Sequence, residues 1–214
     1  MYLPKHFEQP DSDAVASLLA AHPLATLAWP SAAGPEAEHL PLLWDRGPTD
    51  GTHGTLRGHV ARANPVWREA AGQPVLAVFR GPQAYVTPSW YPSKAATAKV
   101  VPTWNYAVVH LRGRLRAVED APWLRTLVGR LTDTHEAAFA HRWQVSDAPE
   151  DYIAQMLRAI VGIEIVVESV QAKWKMTQNR DAADRAGVAA GLASLGTDET
   201  RAAAAWVRQG PTRS

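Results

Sequence analysis

Residues 85–106, YVTPSWYPSKAATAKVVPTWNY, gather the side chains of this chain best suited to holding a flat ligand. Trp90, Tyr91, Trp104 and Tyr106 supply planar apolar surface, and Ser89, Lys94, Thr103 and Asn105 stand among them as polar or charged groups. Aromatic walls bury a ring and a few fixed polar groups set its orientation, so the stretch suits a planar, hydrogen-bonding cofactor such as a flavin. A plainer reading is equally open. Trp and Tyr are common on half-buried strands, where such side chains simply plug a β-barrel.

Two other segments concentrate donors. Residues 58–65, GHVARANP, set His59, Arg62 and Asn64 just before Pro65, a favourable first residue for a helix. Donors at the positive end of a helix suit an anion such as phosphate; an Asn cap beside an exposed arginine is the alternative. Residues 171–180, QAKWKMTQNR, bring Lys173, Lys175, Thr177, Gln178, Asn179 and Arg180 together directly after a predicted strand. That set can clamp a phosphate or a ring edge, or it can be a solvated strand end.

Other chemistries find little support. The chain has no cysteine, so disulfides, thiolate metal sites and a cysteine nucleophile are excluded. His135 and His141 are six residues apart, which puts them on different helix faces and does not match HExxH zinc spacing, so no metal site is expected. No Ser-His-Asp or paired-carboxylate signature stands out. The formal net charge is +1, so no global field points to nucleic acid. With no signal-peptide pattern and no apolar run of membrane-spanning length, a cytoplasmic location is expected.

The elements that must position these groups read as a mainly β core with covering helices. A Pro-rich arm over residues 1–10 leads to a short helix capped by Asp11, with Val15, Leu18 and Leu19 on its apolar side. Strands are expected at 24–29 and 38–44 as a hairpin, at 56–60, and at 75–79 and 83–87 around an Arg80-Gly81-Pro82 turn. Residues 103–118 alternate with period two: Ala107, Val109, Leu111, Leu115 and Ala117 share one face, and His110, Arg112, Arg114 and Arg116 the other. The basic face is open to solvent or to a partner; nucleic-acid phosphate is one candidate partner and a solvated edge is the plainer reading. Helices follow over about 120–140 and after Asp147, then a strand over 161–168, then Ala-rich helix to the end.

MYLPKHF, GHVARANPVW, VFRGPQAYVTPSWYPSK, VVPTWNYAVVH and KMTQNR occur in an order that resembles the PaiB family of FMN-binding negative transcriptional regulators. The resemblance spans residues 1 to about 192. It implies an α+β fold with a mainly β core, a split β-barrel of the pyridoxamine-phosphate-oxidase type; residues 193–214 fall outside the resemblance and, from their Ala-rich composition and Trp206, read as a helical extension on the barrel or on a partner subunit. It also implies FMN held at the interface of a homodimer. Carried over position by position, the resemblance assigns cofactor binding to His59, Arg62, Asn64, Ser89, Trp90, Tyr91, Lys94, Thr103, Trp104, Asn105, Tyr106, Lys175, Gln178, Asn179 and Arg180. Met176 and Thr177 replace the commoner Leu and Ser and keep their apolar and hydroxyl character. Three functions are compatible with this pattern: a PaiB-type regulator, whose DNA contact neither charge nor a helix-turn-helix supports; a flavin-dependent oxidoreductase using NAD(P)H; and a haem-binding split barrel.

Overall fold

A computed structural model describes residues 1–47 and 53–209. Its strands are β1 (Leu24–Ser31), β2 (Gly34–Pro41), β3 (Leu43–Asp45), β4 (Thr55–Ala61), β5 (Pro74–Val86), β6 (Thr103–Val118) and β7 (Ile160–Lys175). The helices are α1 (Ser12–Ala21), α2 (Val66–Glu69), α3 (Ser93–Thr97), α4 (Ala121–Glu136), α5 (Glu150–Arg158), α6 (Ala182–Ser194) and α7 (Asp198–Gln209). The strands join in one sheet in the order β2-β1-β5-β6-β7-β4-β3, with antiparallel pairing between β1 and β2, β1 and β5, β3 and β4, and β4 and β7. Among the described residues no helix is long and apolar enough to cross a membrane.

The chain forms two compact units. Met1–His22, Phe79–His110 and the chain from Gln171 onward make the first; Pro23–Val78 and Leu111–Val170 make the second. In the first unit the core includes Leu18, Phe79, Val86, Ala107, Val109, Val188 and Leu192, all buried. Leu27, Leu42, Leu56, Leu111, Leu115, Ile163 and Ile165 fill the second, where Leu124, Ile153 and Leu157 form a satellite cluster under α4 and α5. Asp11 and Asp120 cap α1 and α4, accepting from Asp13 and Ala14 and from Trp123 backbone amides respectively.

Three local expectations change. Residues 75–87 are not two strands separated by a turn: β5 is one thirteen-residue strand running through Arg80-Gly81-Pro82. Gly81 is there for close packing, because an added Cβ would lie 2.9 Å from Leu18 Cδ1 and 3.1 Å from Ala107 Cβ. The span 38–44 divides into β2 and β3, and the final strand reaches Lys175, so Lys173 and Lys175 lie on β7 and not beyond it.

Acidic side chains of the second unit neutralise much of the arginine stripe of β6. Glu164, on β7 and only 5% exposed, accepts from Arg57 Nε at 2.8 Å and from Arg116, while Arg114 pairs with Glu168 at 3.4 Å. A carboxylate removed from water requires such partners, and Arg57 and Arg116 supply them to Glu164, while Arg114 and Glu168 pair at the surface. Arg57 and Arg130 together hold Asp45. The Arg130 hydrogen bond, its charge and then Arg57 hold the Asp45 carboxyl below the usual range, against the opposing effect of burial.

A depressed folded-state pKa means that this stabilisation is complete above the unfolded aspartate value of about 3.9 and is lost as the pH falls through the lower folded value. Asp45→Asn is therefore expected to cost about 1–2 kcal/mol at neutral pH, allowing for partial solvent screening. Urea titrations of both proteins should show the gap narrowing below pH of about 4; a gap independent of pH would contradict the assignment.

Candidate functional site

Twelve of the fifteen candidate residues, from Ser89 to Arg180, belong to the first unit. After β5 the chain makes a single 3-10 turn over Pro88–Trp90, where Thr87 Oγ1 accepts from the Ser89 amide at 3.3 Å. Helix α3 follows and ends at Ala98 in the left-handed conformation. The turn leaves Ser89 and Lys94 exposed and Tyr91 buried, with the Arg180 guanidinium 4.9 Å from the Tyr91 ring centre. Burial pushes the Tyr91 hydroxyl pKa up, and the Arg180 charge acts the other way.

The start of β6 alternates as its pleat dictates. Trp104 points outward, 48% exposed, with Nε1 donating to Gln83 Oε1 at 3.2 Å and its ring edge-on to Tyr85 at 6.1 Å. These groups, with Thr87, Trp90, Leu195 and Glu199, line a cleft of about 460 Å³. Asn105 points inward, 1% exposed. Its Nδ2 donates to Thr177 Oγ1 at 2.6 Å, while its buried Oδ1 has no partner. Thr177 adopts φ +64°, an uncommon conformation for a β-branched residue, at the point where the chain leaves β7.

Basic groups on β7 are firmly held. Lys173, 7% exposed, donates to Tyr2 O at 3.1 Å and lies 5.4 Å from the Tyr106 ring centre. Lys175 donates to Thr103 Oγ1 and to Trp104 O, the latter at 2.7 Å. Burial first, and the Lys173 charge second, place the Lys175 ammonium below the usual lysine range. Gln178 folds back on its own turn, accepting from Met176 N at 2.6 Å and donating to Trp174 O. Asn179 is exposed.

His59, Arg62 and Asn64 lie in the second unit. Arg62 spends its guanidinium inside that unit, on Glu119, on Arg158 O at 2.8 Å and on Ile160 O at 3.1 Å. Asn64 Oδ1 accepts from Val66 N at 3.0 Å, and its Nδ2 donates to Glu38 at 2.7 Å. His59 faces Gly162 across the β4–β7 ladder; its Nδ1 is buried without a partner, and burial lowers the imidazole pKa. Helix α2 has four residues. Within the described residues no group of three or more His, Asp or Glu side chains is arranged to hold a metal.

Over residues 1–169 the chain matches the family described as "Putative FMN-binding domain". It belongs to that family. It is 36% identical over 204 residues to an uncharacterized protein of Emericella nidulans, covering 81% of each chain. It is also 33% identical over 190 residues to the protease synthase and sporulation protein PAI 2 of Bacillus subtilis, covering 86% of this chain and 85% of that one, which places it in the PaiB family. Among solved structures it is similar to the flavocytochrome Anf3 of Azotobacter vinelandii, with TM-score 0.60 and 13% identity over 81% of this chain and 72% of that one. The FAD and heme binding protein of Mycobacterium smegmatis gives TM-score 0.59 and 18% identity over 86% of this chain and 80% of that one. These likenesses fix the fold class as the expected split barrel, and family membership makes FMN the cofactor.

The first unit offers groups that suit FMN: exposed ring surface at Trp104, and an exposed ammonium and hydroxyl at Lys94 and Ser89. Gln83, Leu195 and Glu199 line the cleft but do not stand out in the sequence. Gln83 was findable, since it sits two residues before Tyr85 on one strand and therefore on the same face. Leu195 closes α6 and Glu199 lies in the first turn of α7, and nothing local links them to β5.

Thr177 carries the bond that the buried Asn105 amide depends on. Thr177→Val is expected to lower stability by about 1–3 kcal/mol in urea unfolding, because the amide loses its acceptor without gaining water. An unchanged midpoint would show that Asn105 finds another partner.

Proposed function

We propose that the chain binds FMN on its first unit, with Trp90, Tyr91, Trp104 and Tyr106 on the ring side and Lys94 with Ser89 at the phosphate. One observation carries this reading. Of the four cationic candidates, Arg62 and Lys175 are held by strong internal acceptors and Arg180 lies against Tyr91, whereas Lys94 is exposed and among the described residues reaches only Ser89 Oγ, at 3.5 Å. A side chain so weakly engaged loses little on turning to a dianion. Thr103, Asn105, Lys175 and Gln178 then act as the frame that fixes the two β-strand ends around the ring, and Asn179 rims it. His59, Arg62 and Asn64 serve the second unit, Arg62 as a strut from the end of β4 to the α5–β7 junction.

A homodimer is part of the proposal. The cleft is shallow, with Tyr85 and Trp104 each about half exposed, and a second copy would close it over the cofactor. When bound, FMN supplies electron- and hydride-transfer chemistry; the surrounding side chains bind it, orient it and exclude water. The regulatory role implied by the PaiB resemblance would run through the state of the flavin, because Arg114 and Arg116 spend their charge on Glu168 and Glu164 and leave a poor phosphate-binding stripe. A flavin-dependent oxidoreductase is the second reading, favoured by the open cleft beside the ring-side aromatics.

Lys94→Met should weaken FMN about tenfold or more while leaving riboflavin, which has no phosphate, nearly unchanged. Fluorescence quenching titrations of both ligands measure this. Equal loss for the two would remove the phosphate assignment, and no flavin binding by the parent protein would remove the proposal itself.

A further inference from the structure

Helix α6 lies beyond the stretch that matches the FMN-binding family, yet one of its faces is built against the aromatic segment. Asp184, Gly187 and Gly191 follow at i, i+3 and i+7, the spacing that puts residues on one side of a helix. At Gly191 an added Cβ would fall 2.3 Å from Trp90 Cδ2 and Cε2, so the indole rests on bare helix backbone. At Gly187 it would fall 2.1 Å from Trp90 O and 3.1 Å from Pro92 Cδ. Asp184, 2% exposed, accepts from the Ser93 amide at 3.1 Å and from Ser93 Oγ at 2.8 Å.

Each of these features is costly unless it serves the contact. Glycine inside a helix is less favourable than alanine by about 1 kcal/mol, and a carboxylate buried without donors is far less favourable still. Here the two glycines admit Trp90, and Ser93 supplies both donors to the carboxylate. The same face therefore fixes Trp90, a wall of the cleft, and Ser93, the residue before Lys94.

We infer that the Asp184-Gly187-Gly191 face of α6 is a positioning surface that sets the ring-side geometry of the flavin site through Trp90. None of the three residues touches the cofactor; they act through the segment 90–93. The inference rests on the flavin reading of that segment, and it separates from the phosphate assignment by ligand. Displacing Trp90 disturbs the ring side, which FMN and riboflavin share.

The test uses the full chain. Gly191→Ala favours helix α6 intrinsically but pushes the indole away, so it should weaken FMN and riboflavin by the same factor, about tenfold. It should also speed tryptic cleavage after Lys94 and Lys99, which follow the loosened segment. In a Trp90→Ala background the Gly191→Ala substitution should add no further loss, because the clash partner is gone. Where Gly191→Ala fails to fold, Ser93→Ala, which deletes one of the two bonds to Asp184 and leaves α6 intact, should give the same paired loss and faster cleavage. Wild-type flavin affinities with a wild-type cleavage rate overturn the inference, as does a loss confined to FMN. If the parent protein binds no flavin, the proposed function falls, and the cleavage rate alone decides: faster in the variant upholds the positioning surface, unchanged rejects it.

Discussion

Sixteen residues of unbroken pleat in β6 set the terms for much of the chain. An extended strand sends successive side chains to opposite faces, so the choice of inward residues fixes the outward ones. Asn105, Ala107 and Val109 go inward in the first unit, and Trp104 is thereby obliged to face outward beside Tyr85. Leu111 and Leu115 continue the buried face in the second unit, and Arg114 and Arg116 emerge on the other side, where Glu168 and Glu164 meet them. A single alternation thus supplies core, ring surface and charge ladder.

In the second unit the charges are cross-linked: Glu164 has two guanidinium partners and Asp45 has two, so removal of any one leaves a charge short of compensation. Both units also leave buried polar atoms unmatched, His59 Nδ1 in the second and Asn105 Oδ1 in the first, where a left-handed threonine stands beside Asn105. Unsatisfied buried atoms and unusual backbone are tolerated where a ligand or a mechanism offsets them.

How cations are committed matters more here than how many there are. Counting basic residues would rank Arg62, Lys173, Lys175, Arg114 and Arg116 as anion binders. Their hydrogen bonds say otherwise, because each already meets a carbonyl, hydroxyl or carboxylate within its own unit, whereas Lys94 does not to the same degree. A guanidinium or ammonium group with good internal partners gives up as much as it gains on turning to a phosphate.

The sequence by itself determined the family, through several motifs in fixed order, and with it the fold class and the cofactor. It also determined the alternation of 103–118 and the caps at Asp11 and Asp120, because pleat and capping depend on neighbours a few residues away. The continuity of β5 was hidden, since Gly-Pro signals a turn locally and only contact with Leu18 and Ala107 shows that the glycine is there for space. The partners of Arg62 and of Asp184 lie 57 to 98 and 91 residues away in the chain, and no periodicity reports on them. Which donors are spent and which remain for a ligand is a property of long-range contacts, so tertiary structure alone decided it.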